Sequence, residues 1–179
     1  MAEQRIITQD DIIEFWPNSV NISTSKVDSA ILRAQQADLE PLLGMYLYQA
    51  FIEDYNGTTF DTPKYQELYD GKSYTYRGDD RYFRGVRNLL SVYSFVRLID
   101  VAGINLTTSG MVDKITEESE EKEDYQIRST RRLAKDDAIR LEKDTLDFIK
   151  TFRSDYELYW KVYSTDKKET RTSYNFFKV

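Results

Sequence analysis

A chain of 179 residues with 31 acids against 25 Lys and Arg has the length of one domain and a formal net charge of −6, too acidic for a general phosphate-gripping surface. It contains no Cys and no His, which removes disulfides, thiol nucleophiles, the usual zinc ligand sets and imidazole acid–base catalysis. Hydrophobic residues at 40% and charged residues at 31% are the balance of a folded domain with one core.

The aromatic share, 14% with fourteen Tyr, is the unusual number. Tyr joins an apolar ring to a polar tip, which suits surfaces that are wet in a monomer and covered in an assembly. A Tyr-heavy core fits the same composition equally well. No run approaches the roughly 18 apolar residues of a membrane span, and the first residues read as an amphipathic stretch with no signal core.

In chain order, Thr8-Gln9-Asp10-Asp11 predicts a helix start, with Thr8 as cap and the acids complementing the exposed N–H groups. Pro17 stops that helix. Ser25 and Asp28 resemble a capping box for a second helix, whose buried face is Val27, Ala30, Ile31, Ala34 and Ala37. Pro41 interrupts it and Gly44 ends the kinked segment. A third helix covers Met45 to Tyr55 with Leu47, Tyr48, Phe51 and Ile52 inward, and Asn56-Gly57 turns the chain. Thr62-Pro63 opens a short helix to about Tyr69.

From Lys72 to Gly85 the period switches to two, which predicts a β-hairpin turning at Gly78-Asp79-Asp80. Tyr74, Tyr76, Tyr82 and Phe83 are too many rings for a small wet hairpin, so all four are candidate subunit-interface residues. Val86 to Ala102 is apolar round most of its circumference and is the expected centre of the core. Asn105 to Lys114 reads as a loop or short strand. Glu117 to Asp124 holds six acids in eight residues and reads as a solvated lead into a helix. A long helix from about Ile127 to Phe152 follows, with Ala134, Ala138, Leu141, Thr145, Phe148 and Phe152 inward. Arg132–Asp136, Arg140–Asp144 and Lys143–Asp147 are its candidate i,i+4 pairs. The expected architecture is therefore a mainly α helical bundle with one long C-terminal helix and a small β-hairpin insertion. Residues 1–164 form the domain and 165–179 an extended tail. In that tail a polar tether to Ser173 carries the aromatic tip Tyr174, Phe176 and Phe177, the composition of a docking arm that orders on a partner.

No catalytic, cofactor or metal motif emerges. Asp54 to Thr58 opens like an EF-hand loop, but Thr59 and Tyr65 stand where a Gly and an acid are needed. Arg77-Gly78-Asp79 is what a tight turn favours, and the sequons at Asn21, Asn56 and Asn105 are loop composition. The acid doublets Asp10/Asp11, Asp79/Asp80 and Asp136/Asp137 do not converge on one bond and read as solvated.

The opening Arg5-Ile6-Ile7-Thr8-Gln9-Asp10-Asp11-Ile12 is followed by Ala34-Gln35-Gln36-Ala37-Asp38-Leu39-Glu40-Pro41-Leu42-Leu43-Gly44 and then Leu47-Tyr48. Further on come the aromatic central helix, a Thr108-Ser109-Gly110-Met111-Val112 turn and a long charged helix ending in aromatics. This arrangement resembles the head-to-tail connector, or adaptor, proteins of tailed bacteriophages, in particular the branch found in phages of gut Bacteroidetes. The resemblance spans nearly the whole chain through architecture and short phrases, with no catalytic signature. It implies a structural virion protein at the capsid–tail junction, made in the host cytoplasm. Its partners would be itself in a closed ring of about twelve copies, the portal, and tail or further ring proteins. DNA would pass through the channel without sequence-specific binding, and no membrane would be involved. Two other classes compete with this reading: an enzyme working through carboxylates or Tyr, and a monomeric regulatory or chaperone-like helical module.

Overall fold

The computed structural model describes residues 4–15, 23–101, 104–107, 110–113 and 120–165, with side chains described at 4–15, 23–99 and 128–161. It is mainly helical, with a long helix towards the C-terminal end and small two-stranded antiparallel sheets.

The first helix, α1 (Gln9–Phe15), is capped from its third position. The Thr8 N–H and Oγ1 both donate to the Asp11 carboxylate, at 2.6 and 3.0 Å, the reciprocal half of a capping box. Asp11 departs from the solvated acid expected from sequence. It is buried, and Arg87 Nε donates to it at 2.5 Å while Arg87 Nη2 reaches Glu14 at 2.6 Å. A buried carboxylate needs such a partner.

Next, α2 (Thr24–Ala34) starts one residue before the expected cap, with Ser23 at the N-cap position and no side-chain cap bond. Asp28 pairs with Arg5 instead of closing a capping box. The helix then widens into a π-turn over Gln35–Leu39, where the Glu40 N–H bonds the Gln35 carbonyl, and tightens again as α3 (Glu40–Leu43). Pro41 sits in the first turn of α3; proline removes one N–H and crowds the carbonyl four residues back, and a wide turn relieves that crowding. The extra residue also keeps the apolar stripe continuous. Ala30, Ile31 and Ala34 lead to Leu39, Leu42 and Leu43 only because the stripe steps by five across the π-turn, and all six are buried. Ala37, expected inward, is exposed for the same reason.

Gly44, at φ 76°, turns the chain into α4 (Met45–Glu53). The loop to α5 (Pro63–Asp70) folds around its own polar groups. Asn56 Oδ1 accepts from the Thr58 and Thr59 N–H groups, and the Asp54 carboxylate accepts the Thr62 N–H and hydroxyl. Phe51 stacks on Phe60 at 4.4 Å, and Tyr55 and Tyr69 lean on Phe60 at 5.1 Å each. Much of the aromatic excess is thus core.

Strands β1 (Lys72–Tyr76) and β2 (Asp79–Phe83) form the expected hairpin. Its turn is the two residues Arg77-Gly78, at φ 54° and 90°, the both-positive geometry that matches strand twist. Asp79 and Asp80 therefore belong to β2 and not to the turn. The core helix α6 (Gly85–Val101) carries Val86, Leu89, Leu90, Phe95 and Leu98, all buried. A second hairpin, β3 (Ile104–Thr107) with β4 (Gly110–Asp113), stands where a loop or short strand was expected.

The long helix α7 (Glu120–Thr151) has 32 residues, about 48 Å at 1.5 Å per residue. It begins within the acidic run, so residues 120–124 are helix backbone and 117–119 lie outside the described residues. Ala134, Ala138, Leu141, Thr145 and Phe148 are buried as the spacing predicts, joined by Ile149. The buried Thr145 hydroxyl is satisfied by the Leu141 carbonyl at 2.8 Å. On the wet side Arg140 pairs back to Asp137 and Lys150 to Asp147, three residues apart instead of the expected four. α7 runs antiparallel to α6: Tyr93 meets Glu142, while Phe83, just before α6, meets Phe148. After a turn, α8 (Glu157–Thr165) packs on α4, an element the sequence reading left unassigned. Tyr156 is buried at its start and donates to the Lys64 carbonyl at 2.7 Å.

The N-terminal segment is tied down by polar side chains. Gln35 accepts the Ile6 N–H and donates to the Gln4 carbonyl, each at 3.0 Å, and the Tyr69 hydroxyl donates to the Ile6 carbonyl at 2.8 Å. Ile6 and Ile7 are buried between these anchors.

Candidate functional site

The first hairpin is largely exposed towards its turn, and its base is clamped. Gly71 and Gly85, both at φ 85°, close on each other across the point where α5 ends and α6 begins. A Cβ on Gly71 would overlap the Phe83 carbonyl and the Gly85 nitrogen, and one on Gly85 would overlap the Tyr69 carbonyl.

The register then sorts the side chains. Lys72 faces Phe83, Ser73 faces Tyr82, Tyr74 faces Arg81, Thr75 faces Asp80, and Tyr76 faces Asp79. Facing residues share a side of a two-stranded sheet. Lys72, Tyr74, Tyr76 and Phe83 therefore lie on the side that covers α7, and Tyr82 lies on the outer side with Ser73, Thr75 and Asp80.

The four rings expected to form one subunit interface are thus divided. Phe83 is 2% exposed and stacks on Phe148 at 4.2 Å. Tyr74 meets Phe148 and Phe152 edge-on at 5.4 and 5.9 Å. Both take part in the packing of their own chain, Phe83 fully buried and Tyr74 half-buried. Tyr76 is half-buried under two cations, with the Arg77 and Arg81 guanidinium carbons 5.1 and 4.7 Å from its ring centre. Tyr82 is 64% exposed and remains available to a partner.

Other large apolar side chains stand exposed where the sequence reading did not place an interface: Met45 and Tyr46 at the start of α4, and Leu133 and Ile139 on the wet side of α7. The signal for the first pair was present, since the run Met45-Tyr46-Leu47-Tyr48 is apolar throughout and one helix face buries only half of it. The tail residues Tyr174, Phe176 and Phe177 lie outside the described residues.

Two polar contacts tie α6 to the elements packed against it. Arg97 donates to both oxygens of Asp38, at 2.9 and 2.6 Å. Tyr93 donates to Glu142 Oε1 at 2.7 Å. Desolvation holds the Glu142 carboxyl above the usual glutamate range, with Asp38 adding to the rise and the Tyr93 hydrogen bond opposing it. Desolvation and the Glu142 charge push the Tyr93 hydroxyl well above its ordinary value. Among the described residues no group of three His, Cys, Asp or Glu stands where it could hold a metal ion, and no helix is long and apolar enough to cross a membrane.

Residues 39–168 match the model of a family of unknown function, DUF6712, and the chain belongs to that family. Neither a curated protein nor a solved structure matches it.

Proposed function

We propose that this protein is a non-enzymatic structural subunit that assembles as a ring at the head-to-tail junction of a tailed bacteriophage. In this reading the ring sits beneath the portal, joins capsid to tail and extends the DNA channel. The observation that carries the assembly part is the placement of the exposed apolar side chains. Tyr82 lies on the outer face of a clamped hairpin, Met45 and Tyr46 open α4, and Leu133 and Ile139 flank the wet side of α7. Apolar groups displayed on several separate elements suit head-to-tail contacts, in which each subunit uses two different surfaces and closes a ring. The phage setting rests on the resemblance in the sequence.

An acidic chain fits a conduit as well, because a surface without excess cations gains no counterion-release attraction for passing DNA. The tail tip Tyr174, Phe176 and Phe177 is the proposed anchor on the portal. Native mass spectrometry of the protein alone and with the portal tests the reading, with a closed ring of about twelve copies as the expected mass. A strict monomer in both samples overturns it in favour of a single-partner module. Truncation after Thr172 should abolish portal binding while leaving the thermal transition of the isolated protein in place.

A further inference from the structure

One edge of the first hairpin is built to meet its own copy. β1 and β2 form a sheet of two strands, and among the described residues no third strand joins it. A two-residue turn makes its flanking residues, Tyr76 and Asp79, a hydrogen-bonded pair, and such pairs alternate along an antiparallel ladder. Tyr74–Arg81 and Lys72–Phe83 are therefore the other hydrogen-bonded pairs. Asp80 and Tyr82 fall between them, so their N–H and C=O groups point away from β1, along the free edge of β2. Arg84 is the next residue in that row, directly after the strand.

The side chains of the row are open as well. Asp80, Tyr82 and Arg84 are all exposed, and Tyr82 is the most exposed large hydrophobic side chain among the described residues. Asp80 Oδ1 accepts from the Thr75 hydroxyl at 3.0 Å, and an ionised carboxylate has capacity for further donors.

Charges on an edge strand ordinarily keep other strands away. On β2 their order does the opposite, because an aromatic stands midway between an acid and a base. Lay a second β2 antiparallel on the first, about a two-fold axis through Tyr82, and Tyr82 faces its own copy. Asp80 then faces Arg84 of the copy, and Arg84 faces the copy's Asp80. Two ion pairs flank an aromatic pair, and the two Tyr82 residues exchange both backbone hydrogen bonds. Neighbouring registers fail. A slip of one residue sets outward-pointing backbone groups against inward-pointing ones, and a two-fold axis through Asp80 sets two carboxylates against each other.

We propose that the free edge of β2 is a homodimer contact, in which two copies pair antiparallel about Tyr82 and merge their hairpins into one four-stranded sheet. The contact is isologous and goes beyond the ring reading, whose head-to-tail contacts join two different surfaces. Two five-residue strands cover little surface, so the dimer is weak and its population rises with concentration.

Sedimentation of the full-length protein over a concentration series, without the portal, should show a monomer–dimer equilibrium. Asp80→Arg and Arg84→Asp each set like charges opposite one another twice per dimer, and each should weaken it at least about tenfold. Both substitutions in one chain exchange the charges and should restore the dimer. An equimolar mixture of the two single variants should also pair, as a heterodimer, because the bases of one chain meet the acids of the other. All of these variants should keep the wild-type circular dichroism spectrum, since both positions are exposed. A wild type that stays monomeric at every concentration overturns the proposal, as does a dimer that neither single substitution weakens. A dimer lost in the single variants and not restored by the exchange also overturns it, and points instead to β2 meeting β1 of the copy. The ring is judged separately. Rings formed with the portal by a protein that never dimerises alone keep the ring and remove the β2 contact. Dimers that respond to charge as above, in a protein that forms no ring with the portal, do the reverse.

Discussion

Gly71 and Gly85 bring two backbone segments closer than any side chain allows, and both hold φ near 85°. An Ala at either position meets the left-handed penalty of about 1–2 kcal/mol and, in addition, an overlap with carbonyl oxygen that only a backbone shift can relieve. We expect Gly71→Ala and Gly85→Ala each to cost about 3 kcal/mol or more in urea unfolding. Gly78 is the control. It has a similar φ, 90°, but nothing within 4 Å of the added Cβ, so Gly78→Ala should cost only the left-handed penalty of about 1–2 kcal/mol. Equal losses at all three positions would show that the clamp adds nothing beyond φ. The sequence marked Gly85 as an end of the hairpin, but nothing in it reveals that the glycine pairs with Gly71, because close approach is a property of the folded backbone.

At the level of elements, the hairpin shows what a pattern can and cannot tell. Alternation from Lys72 to Phe83 was legible, and so was the aromatic load. Which side each ring takes depends on the turn. With Arg77-Gly78 as a two-residue loop, Phe83 pairs with Lys72 and falls on the α7 side, and Tyr82 falls on the other. A turn one residue longer would exchange them. Phe83→Ala should therefore unfold the monomer by about 3–5 kcal/mol, as loss of a buried ring does. Tyr82→Ser should change monomer stability by less than about 0.5 kcal/mol and weaken assembly instead. Thermal melts read the first effect and native mass the second; a Tyr82→Ser protein that assembles as well as wild type would remove that ring from the interface. The long helix, the core helix and the Thr62-Pro63 start were also readable, each from local spacing or capping. The π-turn was not. Pro41 announced an interruption, but whether a helix stops or widens there depends on Gln35 and Asp38 finding partners 29 and 59 residues away. The second hairpin and α8 were missed because their segments are short and carry too few residues for either periodicity to stand out.

For the molecule as a whole, the Tyr93–Glu142 contact links stability to pH. Burial raises the folded carboxyl above its unfolded value, with Asp38 contributing and the Tyr93 bond opposing. The folded state thus holds its proton more tightly than the unfolded state does. That contribution is fully present below the ordinary glutamate range and is lost as pH rises through the raised value. Glu142→Gln keeps an oxygen for the Tyr93 hydroxyl and removes the desolvated charge. It should gain stability over wild type at pH 7, with the difference closing as the pH falls to about 4. Denaturant unfolding of both proteins across that range measures it, and a difference that does not vary with pH would show that Glu142 does not titrate between the two states.

The anchors of the N-terminal segment carry a consequence for synthesis. Ile6, Ile7 and Ile12 leave the ribosome before the residues that anchor their segment: Gln35, then Tyr69, and last Arg87, which lies 76 residues beyond Asp11. At about 5–20 residues per second, roughly 4–15 s pass between translation of Asp11 and that of Arg87. For that interval three isoleucines that end up buried have no completed site to enter, and their apolar surface stays open to premature contacts on the nascent chain.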